Sequence, residues 1–97
     1  MKRGMQPVHP GEILKEMYLE PLGVGVSAFG EVIGVARRTI SLIINGHSGI
    51  SPEMALRLSK ALGTSPELWM NMQRDYDLWN AEKKIMLKDI RNIVKAA

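Results

Sequence analysis

Cysteine is absent from this 97-residue chain, which excludes disulfide bonds, thiolate zinc sites and cysteine nucleophiles. Long apolar runs are also absent. The most apolar stretch, residues 22–36, is interrupted by Glu31 and four glycines and falls short of the roughly 18 apolar residues that a membrane span needs. Lys2 and Arg3 precede polar residues rather than the apolar run of a signal peptide. We therefore expect a soluble cytoplasmic protein with no membrane contact.

Residues suited to catalysis or metal binding are also sparse. The two histidines, His9 and His47, lie far apart and lack acidic residues clustered at ligand spacing, so no metal site is expected. No nucleophile sits in a glycine-flanked elbow, and no loop has the spacing that cradles phosphate. The sequence therefore predicts a protein that is not an enzyme and carries no cofactor.

The residues that are present suffice for one hydrophobic core. The chain is 45% hydrophobic and 24% charged, which is ordinary for a globular fold and too apolar for a disordered tail. Its length allows a single modest core and no second one. The formal net charge of +3 suits an anionic partner without requiring one.

Prolines and glycines divide the chain into short helices. Pro10 can open a first helix, and Ser51-Pro52 and Ser65-Pro66 each combine an oxygen cap with a proline at the first helical position. Helix ends fall at glycines, which adopt a left-handed backbone at little cost, within residues 21–25 and at Gly34, Asn45-Gly46 and Gly63. Because strand alternation is sparse, we predict an all-α fold of five or six helices, two of them over residues 26–33 and 37–44.

Apolar residues at three- and four-residue spacing predict which faces point inward. The expected inward residues are Ile13, Leu14 and Met17 in the first helix and Phe29, Val32 and Ile33 in the second. No proline or glycine follows Glu67, so we expect the last helix to continue to Lys95, with a break near residues 75–77. Trp69, Met72, Tyr76 and Trp79 fall at helical spacing and are interpreted as core or as a dimer seam.

Residues 26–46, VSAFGEVIGVARRTISLIING, contain the features of a helix-turn-helix in the required order. Gly30 lies where another backbone must come close, and Gly34 makes the turn. The apolar clamp is Phe29, Ile33, Val35, Ile40 and Ile43.

The second helix of this segment has a face suited to DNA. With successive residues about 100° apart, Ala36, Ile40, Ile43 and Ile44 lie on one side, whereas Arg38, Leu42 and Asn45 lie opposite, flanked by Arg37 and Ser41. Such groups read a major groove: arginine binds guanine, asparagine or serine binds base edges or phosphates, and leucine contacts a thymine methyl. In an arbitrary helix the arginines would merely aid solubility. The glycine corner and the clamp favour DNA contact.

Three segments together resemble the HigA-type (VapI-like) antitoxins of the lambda-repressor-like helix-turn-helix superfamily: residues 26–46, residues 49–79 (GISPEMALRLSKALGTSPELWMNMQRDYDLW) and the opening HPGEIL at residues 9–14. The resemblance implies a lambda-repressor-like DNA-binding domain over residues 1–80, with its recognition helix at about 37–44, and a C-terminal helical extension over residues 81–97. It also implies a homodimer that binds an operator palindrome in its own promoter and neutralises a HigB-type, mRNA-cleaving toxin.

The resemblance also implies the residues that contact DNA. They are Arg37, Arg38, Thr39, Ser41, Leu42 and Asn45, with Ser27 near the phosphate backbone. Relatives commonly have serine where this chain has Gly25 and Ala36, and arginine where it has Leu42. Losing an oxygen cap to alanine costs about 1 kcal/mol, and losing a cation flattens the salt dependence of DNA binding by about one unit of slope. We therefore expect weaker operator binding or a different operator sequence.

Two alternatives stay open. One is a stand-alone helix-turn-helix repressor without a toxin, and the other is a toxin-binding module whose DNA face has decayed, which Gly25, Ala36 and Leu42 favour. The tail from Lys83 would form a basic amphipathic helix with Met86, Ile90, Ile93 and Val94 on one face. We expect this face to contact protein, either in the dimer or on the toxin.

Overall fold

The computed structural model describes residues 5–94, and this part of the chain contains five helices. The first helix, α1, covers residues 10–22 in three consecutive stretches: Pro10–Ile13, a π-helical Leu14–Leu19, and Glu20–Leu22. The others are α2 (Val26–Ile33), α3 (Arg37–Ile44), α4 (Pro52–Leu62) and α5 (Pro66–Lys84). No strand occurs in residues 5–94. The predicted all-α fold is confirmed, with five helices.

The caps of α4 and α5 are those that the sequence predicts. The hydroxyls of Ser51 and Ser65 accept hydrogen bonds from the backbone N–H groups of Met54 and Leu68, both at 3.1 Å. Each serine thereby satisfies one of the N–H groups that a helix start leaves without an intrahelical partner. The two Ser-Pro pairs therefore fix the starts of these helices locally.

The core lies where the five helices meet. Among the described residues, its largest fully buried side chains are Trp69, Leu14, Ile40, Ile43, Leu58 and Pro10. The indole N–H of Trp69 donates to the Thr64 hydroxyl at 2.7 Å, and its ring lies 5.7 Å from that of Tyr18. The interpretation of Trp69 as a core residue is confirmed, since this side chain joins α5 to α1.

The π-helical stretch of α1 corrects one predicted inward residue. Met17 is 64% exposed, whereas Leu14 and Leu19 are buried. In a π-helix each backbone hydrogen bond spans five residues rather than four, so each turn holds more residues. Leu19, five positions after Leu14, therefore points inward in place of Met17.

Val32 of α2 is also exposed, at 68%, although the spacing predicts it to be buried. This short helix meets its neighbours through the narrow strip of Phe29, Gly30 and Ile33. Val32 lies beside that strip, on a groove that it lines together with Leu56 of α4. Helical spacing identified the inward side of α2 and overestimated its width.

The prediction that the last helix continues to Lys95 is wrong, because α5 ends at Lys84. The last helix continues through residues 75–77 without a break, ends at Lys84, and is followed by an extended Ile85. Residues 85–94 are not helical, and their apolar side chains, including Met86, are exposed. An amphipathic segment owes its helicity mainly to packing of the apolar face, and within residues 5–94 the apolar side chains of this segment stay exposed. Residues 95–97 lie outside the described part.

Within residues 5–94, every helix is too short or too polar to cross a lipid bilayer.

Candidate nucleic-acid interface

The corner between α2 and α3 depends on two glycines. Gly30 is buried, and a β-carbon built on it would lie 2.7 Å from the Val35 carbonyl oxygen. The Val35 N–H donates to the Gly30 carbonyl oxygen at 2.9 Å. Gly34 has a φ of +75°, a backbone conformation that residues other than glycine rarely adopt. The predicted roles of both glycines are therefore confirmed.

Two neighbouring helices hold α3 from its inner side. The predicted clamp is formed by Phe29, Ile33, Ile40 and Ile43, all buried, with Val35 half-buried. On the other flank, a β-carbon at Gly11 would overlap the Ile43 carbonyl, so the first turn of α1 packs directly on the α3 backbone. These contacts turn the opposite face of α3 outward.

That outer face carries the side chains that the sequence assigns to DNA contact. Arg37, Arg38 and Asn45 are exposed, and Thr39, Ser41 and Leu42 are half-buried.

Four of these residues, Arg37, Arg38, Ser41 and Leu42, line one shallow depression. The Asn45 amide donates to the Ser41 hydroxyl at 3.3 Å, which joins Asn45 to the same surface. Ser27 is exposed near the start of α2 and does not line the depression. Below, "outer face" means the five α3 residues Arg37, Arg38, Thr39, Ser41 and Leu42 together with Asn45, which directly follows α3; it does not include Ser27.

The electrostatics of the outer face favour an anion. Arg37 and Arg38 occupy the first turn of α3, which contains no acidic residue. Within residues 5–94, neither arginine is in a salt bridge. The helix dipole places partial positive charge at this same end, so the two cations add to it rather than offset it. A phosphate group would relieve that repulsion.

The starts of α2 and α3 lack side-chain caps. Gly25 and Ala36 occupy the N-cap positions, and neither supplies a hydrogen-bond acceptor. Their positions were predicted from the sequence, as was the missing oxygen. The first N–H groups of α3 are consequently not satisfied by a side chain of the cap residue.

A buried glutamine that sequence reasoning missed supports the loop after α3. Gln73 of α5 is 8% exposed. Its Oε1 accepts from the Ile50 N–H at 2.7 Å, and its Nε2 donates to Asp77 Oδ1 at 2.9 Å. Gly49 lies against this amide, since a β-carbon there would be 2.9 Å from Nε2. A glutamine in a polar helical stretch resembles a surface residue, so no feature of the sequence marked Gln73 as buried.

His9 is a second residue whose role was missed. Its Nδ1 accepts a hydrogen bond from the Gly11 N–H at 2.9 Å, so it caps α1, and its ring meets the Tyr76 ring edge-on at 4.8 Å. Burial lowers the pKa of His9 below 6.5, opposed in part by the Asp77 carboxylate and by a hydrogen bond with the Ser48 backbone. The sequence does contain a signal for this cap: His9 directly precedes Pro10, and proline is favoured at the first position of a helix.

Among residues 5–94, no three histidine, aspartate or glutamate side chains converge at metal-binding distance.

The tight corner, the clamp and the outward polar face of α3 together define a helix-turn-helix protein. The helix-turn-helix family model matches residues 16–69, more than half of the chain. Antitoxin HigA-1 of Vibrio cholerae is 42% identical over 83 residues, which are 86% of this chain and 78% of that protein.

Solved structures agree with this assignment. Antitoxin GraA in complex with its operator superposes with a TM-score of 0.88 at 39% identity, covering 98% of this chain and 99% of that one. Pseudomonas aeruginosa antitoxin HigA with the higBA promoter gives a TM-score of 0.82 at 33% identity, covering 91% and 99%. The chain belongs to the helix-turn-helix family of DNA-binding regulators, in its group of HigA-type antitoxins.

Proposed function

We propose that this protein is a cytoplasmic transcriptional repressor that binds an operator palindrome in its own promoter as a homodimer, and that it neutralises a HigB-type, mRNA-cleaving toxin. The observation that carries the DNA-binding part is the outer face of α3, whose two arginines are exposed and are in no salt bridge within residues 5–94. Relatives of this fold that are described with operator or promoter DNA support the same conclusion.

In this proposal the outer face enters the major groove. Arg38 binds a guanine edge, Ser41 and Asn45 bind base edges or phosphates, and Leu42 contacts a thymine methyl. Arg37 and Thr39 contribute to the same surface, and Ser27 on α2 binds the phosphate backbone. A symmetric dimer places two copies of α3 about 34 Å apart, in successive major grooves on one side of the duplex. Repression follows because polymerase is blocked.

The test of the DNA-binding part is Arg38→Ala, measured by gel shift on the DNA upstream of the gene. We expect a loss of about 1–3 kcal/mol and a relaxed preference at one base pair in each half-site. Lys60→Ala is the matched control, because Lys60 is an exposed cation of α4 outside the outer face. Unchanged affinity and preference in Arg38→Ala would remove this residue from the interface.

A salt titration of the wild-type protein separates this proposal from a decayed DNA face. A decayed face binds operator and unrelated DNA equally, with a steep salt dependence. An intact face retains a preference for the operator of about 1,000-fold or more. Equal binding to both DNAs would contradict the repressor proposal and leave toxin binding as the function.

The antitoxin part requires a toxin. We expect the product of the neighbouring reading frame to arrest growth when expressed alone and to lose this effect when co-expressed with the present chain. Co-purification of the two proteins should accompany the rescue. Growth arrest that co-expression does not relieve, or the absence of any neighbouring toxin gene, would favour a stand-alone repressor.

A further inference from the structure

An arginine outside the outer face reaches the corner of the helix-turn-helix. Arg57 of α4 donates from Nη1 to the Ile33 carbonyl oxygen at 2.6 Å and to the Gly34 carbonyl oxygen at 3.5 Å. Its Nε donates to Glu53 Oε2 at 3.2 Å, one turn earlier on α4. The guanidinium therefore joins α4 to the last backbone carbonyls before the turn.

The position of this cation is chemically favourable. The last carbonyls of a helix lack intrahelical partners and carry the negative end of the helix dipole. Arg57 supplies both a donor and a positive charge to the end of α2. Its side chain is 37% exposed, so water screens it only in part. Glycine at position 34 leaves room for it, because a β-carbon there would lie 3.1 Å from Nη1.

The short distance along the chain from this contact to the outer face gives it a functional consequence. Only Val35 and Ala36 separate Gly34 from Arg37, the first residue of α3. Ala36 provides no side-chain cap, so the start of α3 lacks the local hydrogen bond that commonly fixes a helix start. The direction in which α3 leaves the turn then depends on tertiary contacts at the corner.

We infer that Arg57 is a positioning residue for operator recognition: it fixes the corner and thereby the orientation of Arg37 and Arg38, without touching DNA itself. This inference rests on the proposed function. It assigns Arg57 to specificity rather than to general attraction for phosphate, because Arg57 lies on α4, outside the residues predicted to contact DNA.

The experiment compares Arg57→Gln with Lys60→Gln, two variants that each remove one cation from α4. For Arg57→Gln we expect about a tenfold loss of operator affinity, the size expected for losing a hydrogen bond to a charged group. Affinity for unrelated DNA and the slope of the salt dependence should stay unchanged, because no phosphate contact is lost. Lys60→Gln should match the wild type in all three measurements, and Arg57→Lys should restore part of the operator affinity.

A second measurement needs no DNA. The N–H groups of Gly34 and Val35 both donate to the Gly30 carbonyl within the corner. Arg57→Gln should speed hydrogen exchange at these two amides and leave the amides of Ala55 in α4 and of Gly63, which directly follows α4, protected. This comparison shows that any loss of affinity arises from a loosened corner in a folded protein.

Three results would overturn the inference. One is operator affinity within twofold of the wild type in folded Arg57→Gln. Another is an equal loss on operator and unrelated DNA with a lower salt slope, which would make Arg57 a phosphate contact. The third is unchanged exchange at Gly34 and Val35. If the wild-type protein shows no operator preference, the proposed function fails, and the exchange measurement still decides whether Arg57 fixes the corner.

Discussion

The helices α4 and α5 begin differently from α2 and α3. Ser51 and Ser65 cap the first pair through their hydroxyls, whereas Gly25 and Ala36 leave the second pair without side-chain caps. The first pair is therefore fixed by its own sequence, and the second by contacts with other parts of the chain. The helix that carries the outer face, α3, is thus one of the two whose starts have no side-chain cap.

This difference suits a helix that faces a polyanion. A capping oxygen at position 36 would occupy an N–H group in the first turn of α3. Without it, the N–H groups of Arg37 and Arg38, which have no intrahelical partner, are available to a phosphate, and the Thr39 N–H donates to the Ala36 carbonyl oxygen at 3.0 Å. Orientation must then come from the corner contacts at Gly30 and Arg57, and from the packing of Gly11 on Ile43. Four predictions test this division between local and tertiary control, beginning with the largest expected effect.

Gly30→Ala tests the tertiary control of α3, because it disturbs the close backbone contact at the corner. Alanine is the better helix former by about 0.5–1 kcal/mol, but its β-carbon would press on the Val35 carbonyl. We expect a net loss of about 1–3 kcal/mol in the free energy of unfolding, measured by urea denaturation. Glu31→Ala, at the next residue of α2 and with an exposed side chain, should stay within about 0.5 kcal/mol of the wild type. A Gly30→Ala protein as stable as the wild type would show that the corner tolerates a wider approach.

Ser51→Ala and Ser65→Ala remove the local control of α4 and α5. Each should lower the free energy of unfolding by about 1 kcal/mol and leave operator affinity unchanged at temperatures where the protein is folded. Ser48→Ala, in the exposed loop after α3, is the control for stability. A loss of operator affinity greater than the loss of folded protein would show that these caps also orient α3.

Ala36→Ser restores a local cap to α3. We expect a gain of about 0.5–1 kcal/mol in the free energy of unfolding. Gly25→Ser should gain only about a few tenths of a kcal/mol, because glycine is already tolerated at an N-cap. The same urea measurement applies. If Ala36→Ser instead destabilises the protein, the backbone geometry that a serine cap needs is incompatible with the corner contacts. Local capping and tertiary packing would then not act independently on α3.

The smallest effect concerns the cap of α1. The pKa of His9 is below 6.5 in the folded protein, so between that value and 6.5 the unfolded chain binds more protons. The free energy of unfolding should therefore fall as pH drops from above 6.5 through the folded-state pKa, and then level off. Protonation at Nδ1 also removes the acceptor for the Gly11 N–H.

His9→Asn isolates this effect, because asparagine retains a capping oxygen and does not titrate. Urea midpoints at about pH 8 and about pH 5 should differ less in His9→Asn than in the wild type. His9→Ala should reduce the pH dependence in the same way and lose the cap as well. An unchanged pH dependence in both variants would remove His9 as its source.

Sequence reasoning succeeded where a single residue determines the local backbone. Gly34 ends α2, the Ser51-Pro52 pair starts α4, and Gly63 ends it, all at the predicted positions. The outer face follows from α3 being helical over Arg37–Ile44. Its DNA contacts remain predictions.

The wrong predictions concern burial and helicity that depend on irregular backbone or on the neighbouring elements a segment packs against. Met17 was misplaced because α1 contains a π-helical stretch, and Val32 because α2 packs through a narrow strip. The tail from Ile85 was predicted to be helical from its periodicity, but nothing in the described chain covers its apolar side chains. Arg57 and Gln73 were missed because both have side chains of a type usually found at the surface.

The π-helical stretch of α1 accommodates more chain between the two ends of this helix than a regular α-helix would. It allows Gly11 to sit on the backbone of Ile43 while Tyr18, further along the same helix, packs beside Trp69. Deleting one residue from Leu14–Leu19 should therefore convert the stretch to regular α-helix and keep both contacts, because the two ends stay in register. Inserting a further residue there would instead turn the two ends relative to each other by about 100°, and both contacts would not then form together.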